Sequence, residues 1–157
     1  MATLKVTVPE NSQNIVGLVT IKAPLEKVFG AYTDQALFAK WWGRGHRLKV
    51  LRFECKDGGG WHVAECTPDG KEYEFAGCFH EVTQNERIIQ TFEYLGMPER
   101  GHVFLERADF VAVDEGTTEI RTLGTAQSRE ERDGLVASGM EGGWRQSAEA
   151  LGRLLEK

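Results

Sequence analysis

At 157 residues the chain has room for one domain with a sizeable core, and 1–157 reads as a single domain. Apolar residues make up 41% and charged residues 27%, and the net charge is −5; that acid excess argues against nucleic acid, which is held by clustered Lys and Arg. No stretch reaches the ~18–20 apolar residues of a membrane span, and the opening MATLKVTVPENSQ lacks the apolar core of a secretory signal, so a cytoplasmic protein with no nucleic-acid partner and no membrane span is expected.

Residues 1–13 read as a polar lead-in or an edge strand. NIVGLVTIKA, 14–23, is rich in β-branched residues and reads as a strand. APLEKVFGAYTD then opens a helix at Pro24, where a missing N–H costs little, with Val28, Ala31 and Tyr32 as its apolar stripe. Asp34 is placed to cap a second short helix, QALFAKWW, that stops at Gly43. Helical neighbours point about 100° apart, so the adjacent Trp41 and Trp42 cannot share one core line.

Six alternating runs follow: RLKVLRFEC, WHVAEC, KEYEFAGCFHEV, RIIQTFEY, HVFLERADFVAV and TTEIRTLGTA. Short turn sequences such as KDGGG, TPDG, TQNE and DEG separate them, which predicts an antiparallel meander. The basic run RLKVLR reads as one solvated strand face. SREE at 128–131 matches the S-x-x-E capping box. Val136, Met140, Trp144, Ala148, Leu151 and Leu155 then recur at helical spacing, which predicts one continuous helix over 128–156. Gly139, Gly142 and Gly143 interrupt it, each costing roughly 0.5–1 kcal/mol relative to alanine. Close packing on the sheet or space left for a ligand would account for them.

Strand period is two, so the hairpins sort residues onto faces. One face receives Leu51, Phe53, Cys55, Trp61, Val63, Tyr73, Phe75, Gly77, Phe79, Phe92 and Tyr94, with Phe104, Ala108, Phe110 and Ile120 from the later strands. The other receives Arg52, Glu54, His62, Glu72, Glu74 and His80. Gly77 falls opposite Trp61, leaving room for an indole to lie across it. The aromatic face must be covered, and the C-terminal helix is the element large enough to do so.

Little points to chemistry. His46, His62, His80 and His102 lack metal-site spacing, and neither GRG nor GGG follows a strand and opens a helix as a phosphate loop does. No catalytic residue, metal or cofactor is assigned. Cys55, Cys66 and Cys78 are odd in number and contain no CxxC, so unbridged structural thiols are expected. The polar groups assigned to the inner face are Tyr73, Glu81, Gln90, Tyr94 and Thr122; Glu81 is expected as a rim glutamate in water, and as a general base only if buried.

PLEKVFGAYTDQALFAKWW, GGGW, PDGKEYEFAG, GTTEIRT and SREERDGLVASGMEGGW, in this order and spacing, resemble the START-like superfamily, and within it the heat-shock-protein-90 ATPase activator-like family. The resemblance runs from about Val19 to Leu155. It implies an α+β helix-grip fold: a curved antiparallel sheet around a long C-terminal helix, with two short helices after the first strand. Within that frame one of Trp41 and Trp42 anchors the short helix. The other joins a ligand cavity formed with Phe53, Trp61, Phe75, Phe79, Phe92, Tyr94, Phe110, Met140 and Trp144. An apolar or amphipathic small molecule is the expected partner of a monomer or homodimer. The resemblance also implies a chaperone-interacting or stress-response protein, although co-chaperones of the family carry a further N-terminal domain that this chain does not show. Fold-level analogy adds a cofactor-independent cyclase or hydrolase-like enzyme as a third reading.

Overall fold

The computed structural model describes residues 2–156. Strand β1 (Thr3–Thr7) forms an edge against β2 (Asn14–Ile21), with Thr3 opposite Thr20. Helices α1 (Leu25–Thr33) and α2 (Gln35–Trp41) then carry the chain to β3 (Arg47–Phe53), β4 (Gly60–Cys66), β5 (Glu72–Thr83), β6 (Arg87–Tyr94), β7 (Val103–Asp114) and β8 (Thr117–Thr125). The strands form one sheet in the order β1-β2-β8-β7-β6-β5-β4-β3, with every neighbouring pair antiparallel. Consecutive strands from β3 to β8 pair as hairpins, which is what short turns impose.

Local chemistry accounts for the helix ends. Pro24 precedes α1 in extended geometry, and its carbonyl accepts from the N–H groups of Lys27 and Val28. The Asp34 carboxylate accepts from the Leu37 N–H at 3.0 Å and starts α2. Ser128 Oγ accepts from the Glu131 N–H at 3.0 Å and starts α3 (Arg129–Ala137). Only half of the capping box forms around it: Glu131 turns to His102, with Oε1 2.6 Å from Nδ1. Ser128→Ala should still cost about 0.5–2 kcal/mol; an unchanged urea midpoint would show that the cap contributes nothing.

The expected continuous C-terminal helix over 128–156 is broken. α3 ends at Ala137, Gly139 adopts φ 86°, and α4 runs from Met140 to Leu155. A left-handed residue stops helical hydrogen bonding, and glycine adopts it without a Cβ clash. Close packing is not what selects the later glycines. A Cβ on Gly142 would meet nothing within 4 Å, and one on Gly143 would make ordinary contact with Arg44.

Two residues sit off the face that strict alternation gave them. A bulge between Val50 and Arg52 turns Leu51 outward, where it is 52% exposed. A second bulge between Phe79 and Glu81 pairs Glu81 with Ile89 on the outer face. An extra residue in one strand reverses the parity of everything after it. The remaining expected faces hold: Trp61 pairs with Gly77, Val63 with Phe75 and Glu65 with Tyr73. Val19, Ile21, Val28, Val63, Ile120 and Leu151, all fully enclosed, form the centre of the core.

Cys55, Cys66 and Cys78 are unbridged. Burial pushes the Cys55 thiol up to about 11, as expected of a structural cysteine.

Candidate functional site

α4 packs against α1, α2, β1 and β2. It grips one side of the curved sheet and leaves the inner faces of β5, β6 and β7 to be covered by rings. The tryptophan pair explains how. Trp41 is the last residue of α2; it is buried, and its Nε1–H donates to the Ala31 carbonyl at 2.8 Å. Trp42 has already left helical geometry, at φ −68° and ψ 151°. That rotation directs its ring away from Trp41 and onto the sheet, 5.2 Å from Phe75, 5.8 Å from Trp61 and 6.4 Å from Phe92 between centroids. The loop beyond is held in an unusual shape, with Gly43, Arg44 and Gly45 all at positive φ. Glu65, on the inner face but 4% exposed, holds it: Arg44 Nε donates to Glu65 Oε2 at 2.6 Å, and His46 Nδ1 lies 2.7 Å from the same oxygen.

The aromatic residues divide into two groups. Trp41, Trp61, Phe79 and Phe110 are closed off from solvent. Trp42, Phe53, Phe75, Phe92, Tyr94, Met140 and Trp144 keep part of their surface accessible. Much of the face is filled by ring-on-ring contact, with Phe53 4.9 Å from Phe38, Phe75 5.3 Å from Tyr94 and Phe75 5.4 Å from Phe92. Phe110 belongs to a neighbouring cluster, 5.0 Å from both Phe29 and Tyr32. Met140 packs lower down, against Ile15, Phe104 and Ala126.

Three glycines on the sheet serve as seats for rings. A Cβ on Gly77 would collide with the Thr91 carbonyl and with Trp61, whose Nε1–H donates to that same carbonyl at 3.2 Å. A Cβ on Gly17 would strike the Trp144 ring, and one on Gly124 the Phe104 ring. Each indole or phenyl thus reaches close to backbone, in space that a side chain would deny it.

The polar residue of greatest consequence is one that the strand reading passed over. Glu106 stands between Phe104 and Ala108 on β7 and shares their inner face, opposite Gln90 on β6 and Gly124 on β8. Strict alternation from Phe104 would have found it. It is half-buried, yet protein surrounds it closely enough that desolvation pushes its carboxyl up to about 7. Tyr32 is likewise half-buried, and desolvation, followed by the nearby Glu106 charge, holds its phenol strongly on the neutral side. Thr122, pairing with Gly17 and Ala108, points Oγ1 inward with no hydrogen-bond partner. Among the described residues no hydrogen bond or cation reaches the Glu106 carboxylate.

Glu81 takes the rim position in water that the sequence suggested. Its carboxylate accepts from Thr83 at 2.7 Å and from Arg87 at 3.1 Å, and these bonds hold it below the usual carboxylate range. It is not placed to act as a base inside the sheet. His46, His62 and His102 each face a glutamate, and among the described residues no group of His, Cys, Asp and Glu is arranged to hold a metal. Two open concavities of about 480 and 340 Å³ lie off the aromatic face, one beside His46, Thr67 and Glu72 and the other beside Glu26, Thr33 and Asn85. No helix among the described residues is long and apolar enough to cross a membrane.

The same architecture recurs in solved structures. A Rhodobacter sphaeroides protein shares 22% identity at a TM-score of 0.84, over 97% of each chain. A Mycobacterium smegmatis protein shares 19% at 0.86, over 99% of this chain and 97% of that one. An Arthrobacter aurescens protein shares 16% at 0.87, over 97% and 91%. At these identities the likeness is one of fold. No curated protein matches the chain in sequence. The family model described as Activator of Hsp90 ATPase homolog 1-like protein matches residues 22–156. With six of the eight strands and all four helices inside that match, the chain belongs to the Activator of Hsp90 ATPase homolog 1-like family, on a START-like fold.

Proposed function

We propose that the chain binds an apolar or amphipathic small molecule on the inner face of its sheet, between Trp42, Phe92 and Trp144. One observation carries this reading: half-buried rings, among them Trp42, Phe75, Phe92 and Tyr94, gather on one face of the curved sheet, and Glu106 stands half-buried on that same face. An apolar wall with a few convergent polar groups is the usual composition of a small-molecule site. A chaperone partner is the second reading and rests on the family description alone.

Calorimetry and thermal shift with 2-naphthylmethanol, a neutral bicyclic probe, test the first reading. Occupancy at about 100-fold the Kd should add about 2.7 kcal/mol of stability. Trp144→Ala should weaken the probe while the protein stays folded, because that ring is only partly buried. Absence of any shift up to the solubility limit of the probe would rule out the binding reading and leave the chaperone reading, for which co-purification with the chaperone is the direct assay.

A further inference from the structure

Ala108, Gly124 and Gly17 come from three adjacent strands and share the inner face of the sheet. The Trp144 ring fills the space over Gly17 and the Phe104 ring that over Gly124, and the Thr122 hydroxyl beside Gly17 is buried. Glu106 stands half-buried on the same face, directly across from Gln90, where opposed Cβ atoms in a sheet lie about 5 Å apart. We propose that Glu106 is the recognition group of this inner face and selects amphipathic ligands that carry a protonated amine on an apolar ring body.

This rests on the binding reading above and adds the chemical class of the ligand. Among the described residues no counter-charge reaches Glu106. β6 places Gln90 and β8 places Gly124 directly across from it, and the Tyr32 phenol of α1 feels its charge. The nearby cations are engaged elsewhere. Arg107 pairs with Asp109 on the outer face, Arg132 donates to the Pro9 carbonyl, and Arg145 donates to the Leu4 carbonyl. A desolvated carboxylate with no cation of its own gains most from a ligand that brings one, and a charge-assisted hydrogen bond is about twice as strong as a neutral one. A neutral hydroxyl would recover only part of that gain. The surrounding rings add an attractive surface for the same cation.

The carboxyl is pushed up to about 7 by burial, so below that pH the free protein holds it protonated. An arriving ammonium group favours the carboxylate, and the displaced proton leaves to solvent. No covalent bond changes.

Matched probes separate this proposal from the simpler one. 2-Naphthylmethylamine and 2-naphthylmethanol share a ring body and differ in the polar head. By calorimetry at about pH 6 the amine should bind wild-type protein roughly 10- to 100-fold more tightly than the alcohol, the range of one charge-assisted hydrogen bond. Repeating the titration in two buffers of different ionisation heat should show a proton released with the amine and none with the alcohol. Glu106→Gln, which keeps shape and removes charge, should bring the amine to the level of the alcohol and abolish proton release. Equal affinity of the two probes for wild type overturns the proposal and leaves the binding reading intact. So does an amine preference that survives Glu106→Gln. Binding of neither probe overturns both.

Discussion

Glu106→Gln should make the protein more stable by about 3 kcal/mol at about pH 8 and change little at about pH 4.5. Burial raises the folded-state carboxyl from its ordinary 4.5 to about 7. A raised acid acts oppositely to a salt-bridged carboxylate: the folded state binds the proton more tightly than the unfolded state does. Wild type is therefore unpenalised below pH 4.5, loses stability as pH rises from 4.5 to about 7, and carries the full cost above that. Glutamine has no such slope. Other groups tilt the wild-type curve as well. Glu93, held to about 2 by Arg100 and the Gly101 N–H, contributes stability present above the ordinary carboxylate value and lost toward pH 2. His102, raised chiefly by Glu131, contributes stability that is complete below 6.5 and lost as pH passes its raised value. Both are common to the two proteins, so the difference between variant and wild-type urea curves isolates Glu106. A difference that is flat from pH 4.5 to 8 would mean that the Glu106 carboxyl is in contact with bulk water, and the proposed ligand site would go with it.

Trp61→Ala should cost about 3–5 kcal/mol in a urea melt. The indole is 2% exposed, seated on the backbone at Gly77, and tied by its N–H to Thr91. Its removal opens a cavity beneath Trp42 and Phe92, at ring separations of 5.8 and 6.2 Å, and leaves the Thr91 carbonyl without the indole donor. Trp61→Phe should cost clearly less, since it keeps a ring on the glycine seat and loses only the hydrogen bond. Trp144→Ala should also cost less than Trp61→Ala, because part of that ring faces open space and has fewer contacts to lose. If Trp61→Ala and Trp144→Ala proved equally damaging, the two rings would be equally packed and Trp144 would leave no surface for the proposed ligand.

The order of elements, the six-strand meander and the pairing of Trp61 with Gly77 were legible in the chain, because they depend on local rules. Alternation at period two, turn residues between runs, and caps at Asp34 and Ser128 all act over a few residues and survive folding unchanged. The START-like resemblance supplied the curved grip, and the family match agrees with it. The adjacency of two tryptophans showed that their rings must part. That the second does so by leaving the helix, with Trp42 as the first extended residue, is a backbone choice made by the sheet it packs on.

Tertiary structure decided the rest, for one recurrent reason: period-two and period-3.6 arguments assume no insertion or break. The bulge beside Leu51 sent an apolar residue outward, and the bulge at His80 sent Glu81 to the rim, because register is a property of two strands together. The break at Gly139 divided a helix whose apolar stripe runs on unbroken in the sequence. Glu106 was visible by parity, between Phe104 and Ala108, but parity assigns a face and not a depth. How far a carboxylate lies from water depends on what α1 and α4 place over it, and those elements are separated from it by scores of residues. Composition and spacing determined that this chain would build an aromatic-faced sheet; only the packing of its helices on that sheet determined that one acid would be half-buried there, without a partner among the described residues.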